Sequence, residues 1–458
     1  MIGYEFEFIV REGGRPLSRE KFLAFHKVLQ AEGWEPVYTT DTRELLGSSK
    51  NGIVVFTDDS INIMELNMPP TETVNESDEK MMTLLQHLQN IYKKLGCTIV
   101  GTSVYPGSFD IYQPKCKNIC ESPYVWAFSF TKYIAPQRFG EYHHATFVIA
   151  ADQIWLDLPE NQIIQQLSIL NRLSPLLVAL FANGPVFNNR QLGVHEGRDK
   201  LWQIALDHDN LRSASSTYGM YPVEFNSIFE YFDFILEQPF YFSYRDDVCF
   251  KLRDPAKTYK DFLLSHGMEA VYGDGKRFFA EPLPIDFLAL QRATYQYARL
   301  KYFIKDGVGI KQIMKAYLER NEQAFLNCFS KFCVEMRAIG AQKKDELSVA
   351  PALLLGLQEK MDEVETLLSK HPYEFWQSFY SHVQKDALQA NHEDVDVCEL
   401  LDALIATARK GLMQRGKDEQ IFLDGLNERI KTRKNPAQEL LETWKSERLE
   451  GIYRSRDY

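Results

Sequence analysis

The stretch Ile2-Gly3-Tyr4-Glu5-Phe6-Glu7-Phe8-Ile9-Val10 is apolar and strand-like, yet it carries two acids two residues apart. Strand side chains alternate between faces, so Tyr4, Phe6 and Phe8 fill one side of a sheet while Glu5 and Glu7 line the other. The pattern returns further on, where Ile53-Val54-Val55-Phe56 runs into Thr57-Asp58-Asp59-Ser60 and then Ile61-Asn62-Ile63-Met64-Glu65-Leu66, closed by Pro69-Pro70. Clustered carboxylates repel one another and lose solvation on burial. A concave face carrying Glu5, Glu7, Asp58 or Asp59, and Glu65 therefore calls for compensating cations. Hard oxygen donors of this kind suit Mg²⁺ or Mn²⁺. The same spacing also fits acids on the wet face of an antiparallel sheet.

The rest of the composition narrows the class. A chain of 458 residues has room for two or three average domains. With 45% apolar and 25% charged residues it is neither disordered nor fibrous, and 30 Phe with 23 Tyr point to an aromatic-rich core. A net charge of −11 with no long basic run excludes a sequence-independent grip on nucleic acid, and anionic substrates would need local positive charge. No stretch reaches the roughly 18 consecutive apolar residues of a membrane span. The sequence opens on a strand rather than a basic, apolar leader, so the expectation is a cytoplasmic protein without a membrane partner. Seven scattered cysteines (Cys97, Cys116, Cys120, Cys249, Cys328, Cys333 and Cys398) read as reduced thiols. The close pairs Cys116/Cys120 and Cys328/Cys333 lack the second pair of ligands that a structural zinc needs.

Helical periodicity over 18–33 and 79–95, with strand-like pieces at 2–10, 53–56, 61–66, 98–104 and 145–151, gives an α+β start with mainly antiparallel pairing. The last of these strands is preceded by His143-His144, of which only one can face the acids; His144 shares its face with Thr146 and Val148. Helical text covers 159–182. From 311 onward the amphipathic runs 311–338, 351–369, 371–389 and 397–414 predict a helical part, 311–458, packed on a catalytic α+β core, 1–310.

Gly3-x-Glu5-x-Glu7, followed by an acid six or seven residues ahead of Glu65-Leu66, resembles the metal-binding half of the glutamate–cysteine ligase family, in the branch shared by plants and many bacteria. Further motifs keep the family's order. Ala182-Asn183-Gly184-Pro185 resembles its Ala-Asn-Ser-Pro turn with glycine for serine. Arg198-x-x-x-Trp202 resembles its Arg-x-x-x-Trp, and Asp209-Asn210-x-Arg212 its Asp-x-x-Arg. Arg299-Leu300-Lys301 matches its Arg-Leu-Lys, and Pro351-Ala352 with Gly356-Leu357 its Pro-Ala-x-x-x-Gly-Leu. The likeness runs over 2–445.

It implies a curved, mainly antiparallel sheet with a carboxylate-lined concave face, as in the glutamine synthetase and guanido kinase architecture, and helices on the back. It also implies ATP-dependent amide formation through a γ-glutamyl phosphate, with glutamate, cysteine or another amine, and ATP as small-molecule substrates. Glu5, Glu7, Asp58, Asp59, Glu65 and His144 are the implied Mg²⁺ or Mn²⁺ ligands. Arg198, Arg212, Arg299 and Lys301 are the implied partners of phosphate or substrate carboxylate, suited to bidentate contact where they are arginines. One departure stands out. After Arg-Leu-Lys the family continues Tyr-Leu-Glu-x-Arg-x-x-Asp, where an ungapped reading of this chain puts Lys305 for the glutamate and Gly307 for the arginine. That leaves two other readings open: a ligase for a different amine, or a catalytically silent nucleotide-binding relative.

Overall fold

A computed structural model describes residues 1–38, 45–58, 60–108, 148–206, 218–245, 248–272, 275–292 and 294–458. Its centre is a curled, ten-stranded sheet. The strands are β1 (Ile2–Glu12), β2 (Glu35–Tyr38), β3 (Leu45–Lys50), β4 (Ile53–Thr57), β5 (Ile63–Thr71), β6 (Cys97–Val100), β7 (Ala151–Asp157), β8 (Ala298–Ile304) and β9 (Phe329–Gly340), with the short piece Arg15–Pro16 beside β1. The spatial order is β8-β9-β7-β1-β5-β4-β3-β2, with β6 also on β1, and every pairing is antiparallel.

Alternation makes β1 two-faced. Tyr4, Phe6 and Phe8 stack along one side, with ring centroids 5.9 and 6.4 Å apart, and are buried. Ile154 and Leu156 of β7, Met64 and Leu66 of β5, and Leu300 and Val334 of β8 and β9 extend that apolar layer. Helices cover it. The helix Arg19–Ala31 is N-capped by Ser18 and meets Val74–Lys94, itself capped by Thr73, through Phe25 stacked on Tyr92 at 4.0 Å. Ser77 of the second helix hydrogen-bonds the Tyr4 hydroxyl at 2.8 Å.

The helix Ile163–Phe181 packs against β8 and β9. With the 3₁₀ turn before it, it is long and apolar enough to cross a membrane by length and composition, at a mean hydropathy of 1.3, but 78% of that window is buried inside the protein. The run is interrupted in sequence by Asn171, Arg172 and Pro175, and packing on both sides accounts for its apolarity.

Two expectations need correction. Of the strand expected at 145–151, residues 145–147 lie outside the described residues, and the strand that pairs with β1 is β7, starting at Ala151; Asp152, Gln153 and Asp157 disguise it, Gln153 facing the cleft and Asp152 buried on the other face. The run 311–338 is not one helix. It holds helices Ile310–Leu318 and Glu322–Leu326 and then the twelve-residue β9, whose continuous burial blurred the period of two. Since β8 and β9 pair, a division at residue 310 falls between neighbouring strands of one sheet. The helices Val349–Gln358, Met361–Leu368, Tyr373–Asp386 and Val397–Arg415 follow the predicted runs.

His26, buried in the Arg19–Ala31 helix, has its Nδ1 2.9 Å from Ser48 Oγ, and burial pushes its pKa down to about 3. The unfolded chain therefore binds one more proton than the folded one between pH 6.5 and about 3, so stability from this site falls as pH drops below 6.5. A His26→Gln variant is expected to show an acid limb of stability shallower by about 1.4 kcal/mol per pH unit between pH 6 and 4, read from urea melts across that range.

Candidate active site

The polar face of the sheet is built row by row. Glu5 lies opposite Asn67 of β5 and Gln153 of β7, Glu7 opposite Glu65, and Glu65 opposite Phe56 of β4. On the far side Arg299 of β8 pairs with Glu335 of β9, which pairs in turn with Trp155 of β7. Of these, Glu5, Glu7, Phe56, Glu65, Gln153, Arg299 and Glu335 line a cavity of about 190 Å³, completed by Thr57, Asp58, Trp202, Arg292, Tyr295, Lys301 and Arg337.

The acids converge. Ligand oxygens of Glu5, Glu7 and Glu65 all lie within 4.8 Å of one another, and no other such group of His, Cys, Asp or Glu occurs among the described residues. Burial pushes Glu5 up to about 7, with Glu335 and Asp58 adding repulsion. Burial, followed by Asp58, Glu5 and Glu65, holds Glu7 well above the usual carboxylate range; burial, then Glu5 and Asp58, does the same to Glu65. Glu7 is fixed by the Ala151 amide at 2.7 Å and the Gln153 amide at 2.5 Å, and Glu65 by Asn67 at 2.5 Å. Three hard oxygen donors, positioned by hydrogen bonds and short of positive charge, fit a divalent cation of the Mg²⁺ or Mn²⁺ kind.

The cations gather on one acid. Glu335 accepts from Arg299 Nε at 2.6 Å, with Lys301 Nζ at 3.1 Å and Arg337 Nη1 at 3.2 Å. Burial would raise Glu335, but Arg299, Lys301 and Arg337 hold it well below the usual range. Burial with Arg299 nearby lowers Lys301 to about 8, and its ammonium sits 4.8 Å over the Trp155 ring. Arg337 also donates to Gln153 Oε1, so one amide ties the cation side to Glu7 on the acid side.

The remaining expected residues fall in three places. Glu5, Glu7, Asp58, Glu65, Arg299 and Lys301 all line the cleft. Arg198 lies buried behind it, its Nη2 donating to the Arg337 carbonyl at 2.5 Å and its amide to Glu196 at 3.1 Å, while Trp202, one turn on in the helix Gly197–Leu206, forms part of the wall. Asp59, His144 and Arg212 lie outside the described residues.

Lys305 and Gly307 sit in an exposed turn beyond β8 and away from the cavity lining. A Glu-x-Arg pair does line the cleft, as Glu335-Met336-Arg337 on the next strand, which puts both side chains on the polar face. Sequence reading missed it by taking 311–338 for helix. Gln153 and Arg292 carried no pattern of their own. The described cysteines play no part in the wall, and burial pushes Cys97 and Cys398 up to about 11 and Cys333 to about 12, far from activated thiolates.

A curled antiparallel sheet with converging carboxylates at one end of a cleft and clustered guanidinium and ammonium groups at the other is the layout of a carboxylate–amine ligase. The sequence narrows this further: residues 1–455 match the profile of glutamate-cysteine ligase family 2, and the chain belongs to that family. Its relatives include the chloroplastic glutamate–cysteine ligases of Nicotiana tabacum, 24% identical over 97% of this chain and 76% of that one, and of Solanum lycopersicum, 23% identical with the same coverage. The fold matches a solved structure of glutamate–cysteine ligase from Francisella tularensis in complex with AMP at a TM-score of 0.52 and 12% identity, over 99% of this chain and 86% of that one.

Truncating the shared counter-ion leaves three cations crowded in a largely buried site. Glu335→Ala is expected to cost about 3–5 kcal/mol in urea unfolding, and adding Lys301→Met to recover part of that loss. A Glu335→Ala protein as stable as the parent would remove the ion cluster from the sheet's stability.

Proposed function

We propose that this chain joins the γ-carboxyl group of glutamate to the amine of cysteine at the expense of ATP. The observation that carries the reading is the convergence of Glu5, Glu7 and Glu65 from two paired strands, facing Arg299, Lys301 and Arg337 across one cleft. A carboxylate is a poor acyl donor. Its oxygen attacks the γ-phosphorus of ATP, the bond to the β,γ-bridging oxygen breaks, and ADP leaves; the amine nitrogen then forms the amide bond as the acyl–oxygen bond to phosphate breaks and a proton is lost from nitrogen.

Glu5, Glu7 and Glu65, with Asp58 beside them, would hold Mg²⁺ or Mn²⁺, which when bound supplies neutralising charge to phosphate oxygens. Gln153 and Asn67 keep the acids' oxygens turned inward. On the other side Arg299, Lys301 and Arg337 outnumber Glu335 and leave a net positive wall suited to an anionic substrate or to developing phosphate charge. The reaction needs no nucleophilic side chain, in keeping with thiols whose pKa values are raised by burial.

Release of ADP from purified protein with ATP, Mg²⁺, glutamate and cysteine tests the reading, with a panel of other amines alongside. Cysteine-dependent release is expected. Glu65→Gln is expected to lower it by about a hundredfold or more, roughly 2.7 kcal/mol of transition-state stabilisation, while far-UV circular dichroism stays unchanged. Undiminished release in that variant would take the acid cluster out of the mechanism, and release that requires a different amine would redirect the acceptor.

A further inference from the structure

Behind the aromatic wall of the cleft lies a carboxylate that neither metal binding nor phosphate contact explains. Asp199, in the first turn of the helix Gly197–Leu206, is fully buried and accepts from three tyrosines and one amide. Tyr218 reaches Oδ1 at 2.6 Å, while Tyr297, Tyr380 at 3.0 Å and the Gln384 amide at 3.2 Å share Oδ2. The hydroxyls of Tyr297 and Tyr380 are 2.8 Å apart, and Gln384 also donates to Tyr380 at 2.9 Å. The four donors come from three separate parts of the chain.

Two of the donors are tied to the cleft and two to a helix behind it. Tyr218 pairs in parallel with Tyr295, and the next residue, Gly219, accepts from the Tyr297 amide at 2.8 Å. Tyr297 leads directly into β8, which carries Arg299 and Lys301, and its carbonyl accepts from the Arg337 amide at 2.7 Å. One turn along the helix from Asp199, Trp202 stacks on Tyr295 with centroids 4.5 Å apart and planes 27° apart, and lies 6.1 Å from Tyr218. Trp202 and Tyr295 form the wall of the cavity. Tyr380 and Gln384 come from the Tyr373–Asp386 helix, outside the sheet, and brace the arrangement from behind.

We propose that Asp199 is a positioning residue of the ligase: by drawing Tyr218, Tyr297 and Tyr380 onto one carboxylate, it sets the Trp202–Tyr295 wall and the start of the Arg299–Lys301 strand against the acid side of the cleft. A buried carboxylate orients several neutral hydroxyls at once, and here it joins the short Tyr218–Gly219 strand and the entry to β8 to the Tyr373–Asp386 helix. The inference rests on the ligase reading, because the wall matters only if a substrate meets it.

The test pairs activity with a signature of the wall itself. The near-UV circular dichroism of the parent minus that of Trp202→Phe isolates the band of the stacked Trp202–Tyr295 pair. Asp199→Asn offers the hydroxyls an amide in place of the charged acceptor. It is expected to erase most of that band and to lower kcat/KM about ten- to a hundredfold, the scale of an ångström-sized misplacement. Tyr380→Phe, which removes one brace from the far side, is expected to produce the same pair of changes more weakly, at about threefold in kcat/KM. It carries the test should Asp199→Asn fail to fold.

A band and an activity that both survive Asp199→Asn overturn the proposal. So does a band lost without loss of activity, or activity lost with the band intact. A parent protein that forms no product with any amine overturns the ligase reading instead, an outcome distinct from an active parent indifferent to Asp199.

Discussion

Repulsion among like charges is the constraint around which this molecule is arranged. Glu5, Glu7 and Glu65 are brought within 4.8 Å by strand register alone, since Glu7 and Glu65 are partners across β1 and β5 and Glu5 lies two residues along the same face. Such a cluster stands only if the backbone behind it cannot yield. The Tyr4, Phe6 and Phe8 stack and the helices over it provide that rigidity on the opposite face of the same strand. Apolar burial on one side of β1 thus offsets electrostatic cost on the other, a division of labour that the alternation of strand side chains makes possible.

The cation side follows a complementary rule. Three positive groups would repel in a largely buried site, and Glu335 lies at their centre, leaving an excess of positive charge with fixed geometry. Gln153 links the two sides through both ends of one amide, donating to Glu7 and accepting from Arg337. One side chain thus couples the two charge clusters, in addition to the strands that carry them.

Much of this was legible in the sequence. Glu5 and Glu7 declared their shared face through spacing, and Glu65 followed from the second acid-bearing strand. Family resemblance supplied Arg299 and Lys301. The polar half of the cation cluster was hidden for a physical reason: β9 is buried along most of its length, so its apolar residues lose the period of two and its text passes for helix, taking Glu335 and Arg337 with it. β7 was displaced for the opposite reason, because Asp152, Gln153 and Asp157 make a buried strand look like a loop. The Asp199 network was invisible in sequence. Tyr218, Tyr297 and Tyr380 are joined to it only by tertiary folding, and an isolated tyrosine bears no local signature of its partner.

The position of β1 in the sheet has a consequence for how the chain is made. It is synthesised before its sheet neighbours, and one of them, β7, follows only after roughly 140 further residues, on the order of 7–30 seconds at ordinary elongation rates. β9, which closes the other side of β7, comes later still. Throughout that interval Phe6 and Phe8 lack part of their final cover, and an unpaired strand edge with aromatic side chains is what chaperones bind and aggregates recruit. The same central placement that holds the acid cluster in the finished protein thus gives β1 a long interval without its β7 partner during synthesis.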